Sequence, residues 1–254
     1  MVGMYGIREA YNGFRRVLIA SLSLGTLLLS SPTYSQEPEV SRFSRDDESE
    51  RGRIECVHGV DFKSKYVTMR GISYSDGPVF QAFGNYGWKD FSLTHWYDVE
   101  LGKERPLREI DLDLHYEKEI GGGLKAKAGF MEAYLPYEDF LFLHSLYGEL
   151  GWNGPVNLAC YLNRDWYGKD RGWLGKIKAG KNFPLGNKID LRLAAEMTYN
   201  HGDFRPVSDF SHASISGSIS FDIGPYNLKL SGYYQEPLNR HFGRESWVGV
   251  GISR

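Results

Sequence analysis

Charged side chains recur at alternate positions along much of this chain: Lys63, Lys65, Asp98, Glu100, Asp111, Asp113, Glu117, Lys125, Lys127, Lys176, Lys178, Asp190, Arg192, Glu196 and Lys229. In extended chain a spacing of two puts such groups on one face. Lining a wet interior, they would attract and sort ions and small polar solutes. Covalent and metal chemistry have weaker support. His212 and Ser214 share a face, as a base and a nucleophile would, but Ile215 and Ser216 follow and no Asn stands nearby. A hydrated serine ladder is the better reading. The histidines, His58, His95, His115, His144, His201, His212 and His241, show no metal spacing such as HExxH. His201 and Asp203 on a loop, with His212, are a thin basis for a metal site. Asp46-Asp47-Glu48-Ser49-Glu50 lacks the glycine and spaced oxygens of a calcium loop. No catalytic residue, metal or cofactor is therefore assigned, and the chain is not read as an enzyme.

The elements that must position these charges are strands. Ile110, Leu112, Leu114, Tyr116 and Ile120 alternate with Glu109, Asp111, Asp113, His115, Glu117 and Glu119. Ile189, Leu191, Leu193, Ala195, Met197 and Tyr199 alternate in the same way with mostly polar partners. A helix cannot sort residues with this period. Turn signals divide residues 54-254 into about twelve strands, near 54-70, 78-88, 91-101, 109-120, 124-134, 141-152, 156-167, 173-183, 188-199, 210-223, 226-235 and 246-253. Tight connections (Lys89-Asp90, Gly121-Gly123, Asn153-Pro155, Pro184-Asn187, Gly224-Pro225) alternate with longer, more polar ones. Short periplasmic turns alternating with longer outer loops are the pattern of a transmembrane barrel. Across Gly121-Gly123 a register pairing Glu119 with Lys125 also pairs Glu117 with Lys127. Across Pro184-Asn187, Asn182 opposite Asp190 brings Lys176 opposite Glu196.

A soluble barrel alternates too, with its apolar face inward. Three features favour the membrane. Residues 1-35 read as a secretory signal, with Arg15-Arg16, an apolar core from Val17 to Leu29 and small residues before Gln36. The polar face is dense in charges of both signs. Aromatics gather at strand ends: Tyr86, Trp88, Phe91, Trp152, Phe183, Phe221 and Tyr226 at the short turns, Trp166, Trp173, Tyr199 and Tyr234 at the long loops. Residues 36-53 are an acidic linker too poor in apolar groups to order. The near-neutral formal charge of -2 excludes the electrostatic footprint of a nucleic-acid binder. Cys56 and Cys160 fall on the apolar face of strands far apart round the barrel, so both are expected as free, lipid-facing thiols. Leu193 should face lipid and Thr198 the lumen, so arginine should be tolerated only at the second.

One stretch is distinctive. Ser64-Lys65-Tyr66-Val67, then Arg70-Gly71-Ile72-Ser73 and Ser75-Asp76-Gly77-Pro78 with Gln81, resembles the opening of the TorF-type porins, a family of proteobacterial outer-membrane proteins. Glu109-Ile110-Asp111-Leu112 followed by Tyr116 looks like its next recurring element. The resemblance spans roughly residues 57-254. It departs at Thr68-Met69, where the family has one residue and a bulge is expected, and at the end, Ile252-Ser253-Arg254, where the family tends to an aromatic. It implies an outer-membrane porin and supplies no catalytic residues.

The expectation is an exported all-β protein: an antiparallel, up-and-down transmembrane β-barrel of about twelve strands in the bacterial outer membrane. Its partners would be outer-membrane lipids, the barrel-assembly machinery and the small solutes or ions it passes. An acidic stripe of Asp98, Glu100, Asp111 and Asp113, without local cations, implies mild cation preference. Phe140, Phe204 and Phe242 stand on loops that could fold inward. A lipid-hydrolysing barrel using His212 and Ser214, and a closed structural or adhesion barrel, are the alternatives.

Overall fold

A computed structural model describes residues 54–103, 107–136, 142–167, 170–203 and 208–254. The expected signal sequence, 1-35, and acidic linker, 36-53, lie outside the described residues, as do the loop aromatics Phe140 and Phe204. Twelve strands run in chain order: β1 Glu55–Lys63, β2 Val79–Trp88, β3 Phe91–Glu100, β4 Leu107–Gly121, β5 Leu124–Tyr134 and β6 Phe142–Trp152, followed by β7 Asn157–Tyr167, β8 Asp170–Pro184, β9 Ile189–His201, β10 Ser208–Ile223, β11 Tyr226–Pro237 and β12 Glu245–Ser253. Each pairs antiparallel with its sequence neighbours, and β1 closes on β12 through Gly59 opposite Ser253 to Lys63 opposite Gly249. Closure leaves no edge, so the ladder meets the backbone's hydrogen-bonding need without water.

The alternation sorts side chains as expected. Leu114, Leu146, Leu162, Ile177, Leu193, Ile215, Leu230 and Val250 are exposed on the outside. A water-soluble surface does not carry an apolar belt of this size. Exposed aromatics bound it at two levels, Trp88, Phe91, Trp152 and Tyr226 near the short turns and Trp173, Tyr199, Phe210 and Tyr234 at the other end. They form the girdles of a bilayer interface. Cys56 and Cys160 are free thiols.

The register across Gly121–Gly123 is the expected one, with Glu117 opposite Lys127 and Glu119 opposite Lys125. That across Pro184–Asn187 is not: Pro184 stands opposite Asp190, Asn182 opposite Arg192 and Lys178 opposite Glu196. The turn decides it. Leu185 N–H donates to the Ile189 carbonyl at 2.8 Å, and Gly186 takes φ 150°. Lys176 still reaches Glu196 on the diagonal, at 3.0 Å. The larger correction concerns the first strand. It ends at Lys63, and residues 64–78 leave the wall instead of extending the ladder to residue 70.

Candidate functional site

Residues 64–78 form a short hairpin of their own. Val67 bridges Ser73, Tyr74 N–H donates to the Tyr66 carbonyl at 3.1 Å, and Tyr66 N–H donates to Ser75 Oγ at 2.7 Å. The tip is the four-residue turn Thr68–Gly71, closed by Gly71 N–H to the Thr68 carbonyl at 2.9 Å, with Gly71 at φ 74°. A turn followed by a left-handed glycine is a favoured way to close a hairpin around one extra residue. The unusual Thr68-Met69 pair is thus not a bulge in a strand but half of a turn.

The tip is anchored to strands on the other side of β12 from β1, as far round as β7. Arg70 Nη2 donates to Asp165 Oδ2 of β7 at 2.5 Å, and its Nε lies 3.1 Å from both Asp165 and Asp203. Ser145 and Asn163 donate to the other Asp165 oxygen. Gln235 of β11 donates to the Gly71 carbonyl at 3.0 Å. A Cβ at residue 71 would stand 2.5 Å from His212 of β10, whose ring also faces the buried Phe242. In a ring of twelve, β7 lies opposite β1, so the segment crosses the lumen. Tyr66 and Tyr74 fix its base. Tyr66 donates to Glu109 at 2.8 Å, and Tyr74 packs on Ala133, Leu135 and Leu143.

Arg70, Asp165 and Asp203 are all almost fully buried. Burial works against the Arg70 charge, yet Asp165 and Asp203 beside it hold the guanidinium well above its ordinary range. The Asp203 carboxyl is pushed up to about 7 by burial, with Asp165 adding to the rise and Arg70 opposing it. Asp203 Oδ1 and Asn163 Oδ1 stay buried without a hydrogen-bond partner, but removing Arg70 or Asp165 would cost more, because it leaves a buried charge uncompensated.

Beneath the tip, two cavities of about 340 and 200 Å³ adjoin inside the barrel. Lys63, Asp111, Asp113, Lys176, Lys178, Arg192, Glu196 and Lys229 border the larger. Asp113, Glu117, Lys125, Lys127, Lys178 and Arg192 border the smaller, which reaches Asn153 and Asn157 at the short-turn end. The remaining expected site residues are placed otherwise. Lys65 lies on the inward segment, paired to Glu245 at 2.6 Å. Asp98 and Glu100 are wholly buried, Asp98 accepting from Gln81 at 3.0 Å. Asp190 stands at the start of β9, opposite Pro184 and Ser220.

Contrary to the expectation from sequence, the acidic stripe has local cations. A register shift after Asp98 brings Arg108 onto Glu100, with Lys103 3.7 Å away. Tyr147 satisfies Asp113 at 2.8 Å. Cations of β1, β8, β9 and β11 and carboxylates of β4 border the same larger cavity.

Sequence reasoning missed Arg70, Asp165, Asp203 and Glu109 as a set. The Arg-Gly-Ile-Ser run was the signal available, but a strand reading pointed Arg70 along the wall. His212 and Ser214 both lie on β10, yet the His212 Nδ1 contact is Ser211 Oγ at 2.9 Å. His201 meets Ser208 at 2.7 Å and Asp203 turns to Arg70, so the three conceivable metal ligands serve different partners.

No family model matches this sequence, and no curated protein matches it. Solved structures do resemble its fold. The NanC porin in a rhombohedral crystal form superposes with a TM-score of 0.56 at 10% identity, over 77% of this chain and 98% of that one. The KdgM porin gives 0.53 at 10% identity, over 78% and 97%. KdgM in complex with disordered oligogalacturonate gives 0.51 at 9% identity, over 78% and 97%. At these identities the likeness is one of architecture: a closed, twelve-stranded antiparallel barrel of the kind these porins have.

Proposed function

We propose that this protein is an outer-membrane channel for small hydrophilic solutes or ions, narrowed at its outer end by the inward hairpin. The observation that carries the reading is the pair of adjoining cavities, bordered by charges of both signs and enclosed by an apolar-belted barrel. A lumen of that kind offers solutes hydration and countercharge while the wall faces lipid. The likeness to NanC and KdgM, and the TorF-type resemblance of residues 64–78, support it. Export by residues 1-35, delivery to the barrel-assembly machinery and contact with outer-membrane lipids belong to the same reading. No catalytic role is assigned.

Single-channel recording of the refolded chain in a planar bilayer tests it: discrete conductance steps are expected. Asp111→Asn with Asp113→Asn removes two carboxylates from a cavity also bordered by five cationic side chains. The reversal potential in a salt gradient should move toward anions, and the shift should fade near 1 M, where the Debye length is about 3 Å. The hairpin favours one second reading, a barrel closed to solutes. Silence of a correctly folded protein in the bilayer would select it.

A further inference from the structure

The geometry points to Met69 as the residue that sets the size limit of the lumen, with Arg70 as the residue that positions it. This rests on the channel reading and adds a specificity element to it. The larger cavity is bordered from the inward segment by Tyr66, Val67, Thr68 and Met69. Of these, Met69 also borders the smaller cavity. The wall residues shared by both cavities are Asp113 and Met131 of β4 and β5, with Lys178 and Arg192 of β8 and β9. The waist between the cavities is therefore two thioether side chains among one carboxylate and two cations. Met69 is the member of that waist that comes from a loop rather than from the wall.

Its position follows from the turn. Met69 and Arg70 occupy the two corners of the Thr68–Gly71 turn, so they are placed together. Arg70 spends its fork on Asp165 and Asp203, on the far side of the barrel. Met69 is left directed at the waist. An unbranched thioether is compliant and can fold aside for a small solute while resisting a large one. The base of the hairpin is held separately by Tyr66 and Tyr74, so loss of Arg70 is expected to loosen the tip, where Gln235 on the Gly71 carbonyl is the remaining tie. Asp165 and Asp203 are then two carboxylates without their shared cation, which disfavours the return of a shortened side chain.

The test uses the full mature chain, with heat-modifiable gel mobility as the check that each variant has folded. Single-channel conductance and swelling of liposomes in sugars of increasing size are the readouts. Met69→Gly is expected to raise conductance about twofold and admit larger sugars, and Met69→Trp to lower both. Arg70→Ala is expected to match or exceed Met69→Gly. Arg70→Lys should fall between parent and Arg70→Ala, because an ammonium group keeps the charge but cannot fork onto two carboxylates. A parent that is silent while Arg70→Ala conducts overturns the inference, because the docked hairpin then closes the barrel instead of sieving solutes at the waist. A parent that conducts, with both Met69 variants conducting and sieving as it does, overturns the inference and leaves the channel reading standing. Silence of the parent and all folded variants overturns both. If Arg70→Ala does not fold, the two opposite Met69 substitutions decide the matter alone.

Discussion

The two ends of the lumen are both built from pairs of opposite charge and behave differently. At the outer end Arg70, Asp165 and Asp203 form a dry cluster whose side chains are at most 4% exposed. Toward the short turns Lys125 and Glu117 pair at 3.3 Å with about a quarter of each side chain exposed. Strand alternation sends polar groups inward at both ends. The difference is the hairpin, which covers one end and turns a wet wall into a packed interior. Identical chemistry is worth different amounts on the two sides of it: a covered ion pair has no water to fall back on, and an open one does.

Seven substitutions break or sharpen that contrast. The largest effect is expected from Asp165→Ala, which strands Arg70 together with Ser145 and Asn163. It should weaken hairpin docking by about 3–5 kcal/mol, read as faster hydrogen exchange at residues 67–73. Asp203→Ala should cost less, because Asp203 takes one bond from Arg70 and burial already favours its neutral form.

Arginine placed along β9 and β10 should report wall, filled lumen and wet lumen in turn. Leu193→Arg, facing lipid, is expected to cost about 2–4 kcal/mol in reversible folding into vesicles. Thr198→Arg reverses the expectation from sequence. Thr198 does face inward, but it is wholly buried at the covered end, so overpacking should cost about 1–3 kcal/mol. Ser218→Arg borders the larger cavity and has room, so its cost should be limited to like-charge repulsion from Arg192 directly opposite, about 0.2–1 kcal/mol. Equal tolerance of Thr198→Arg and Ser218→Arg would mean that the hairpin does not fill the outer end.

Gly71→Ala acts on the hairpin alone. It forces a side chain into φ 74° and against His212, and should loosen docking by about 1–3 kcal/mol, seen as protease cleavage within 64–78 while the barrel stays intact. The smallest effect is at the open end. Lys125→Gln breaks a solvated pair and should change folding stability by about 0.2–1 kcal/mol; a change as large as that of Asp165→Ala would erase the distinction between the two ends.

Much of this architecture was legible before any coordinates. The period of two in Ile110–Ile120 and Ile189–Tyr199 is a property of extended backbone, so strand, lipid face and lumen face follow from residue order. The Gly121–Gly123 register was legible for a related reason: two opposite-charge pairs agree with a tight turn. The Pro184–Asn187 register was not, because charge does not single it out: the adopted register sets Lys178 opposite Glu196 where the expected one set Lys176, and the Leu185–Ile189 hydrogen bond and the Gly186 backbone decide between them.

Residues 64–70 show where residue order stops being enough. Lys63 and Lys65 keep the spacing of β1, but the inward positions then turn apolar at Val67 and Met69 and the outward ones polar at Thr68 and Arg70, which marks a break in the wall without saying where the chain goes. The chain leaves the wall because Arg70 finds Asp165, 95 residues away, and Asp203, 133 away. Sequence by itself determined the barrel, its belt and the inward face of its charges, since strand periodicity is local and depends on no distant partner. Only the tertiary structure decided that the inward hairpin narrows the outer end and which charges it covers. Those depend on groups meeting across the closed ring, and closure is what places β7 opposite β1.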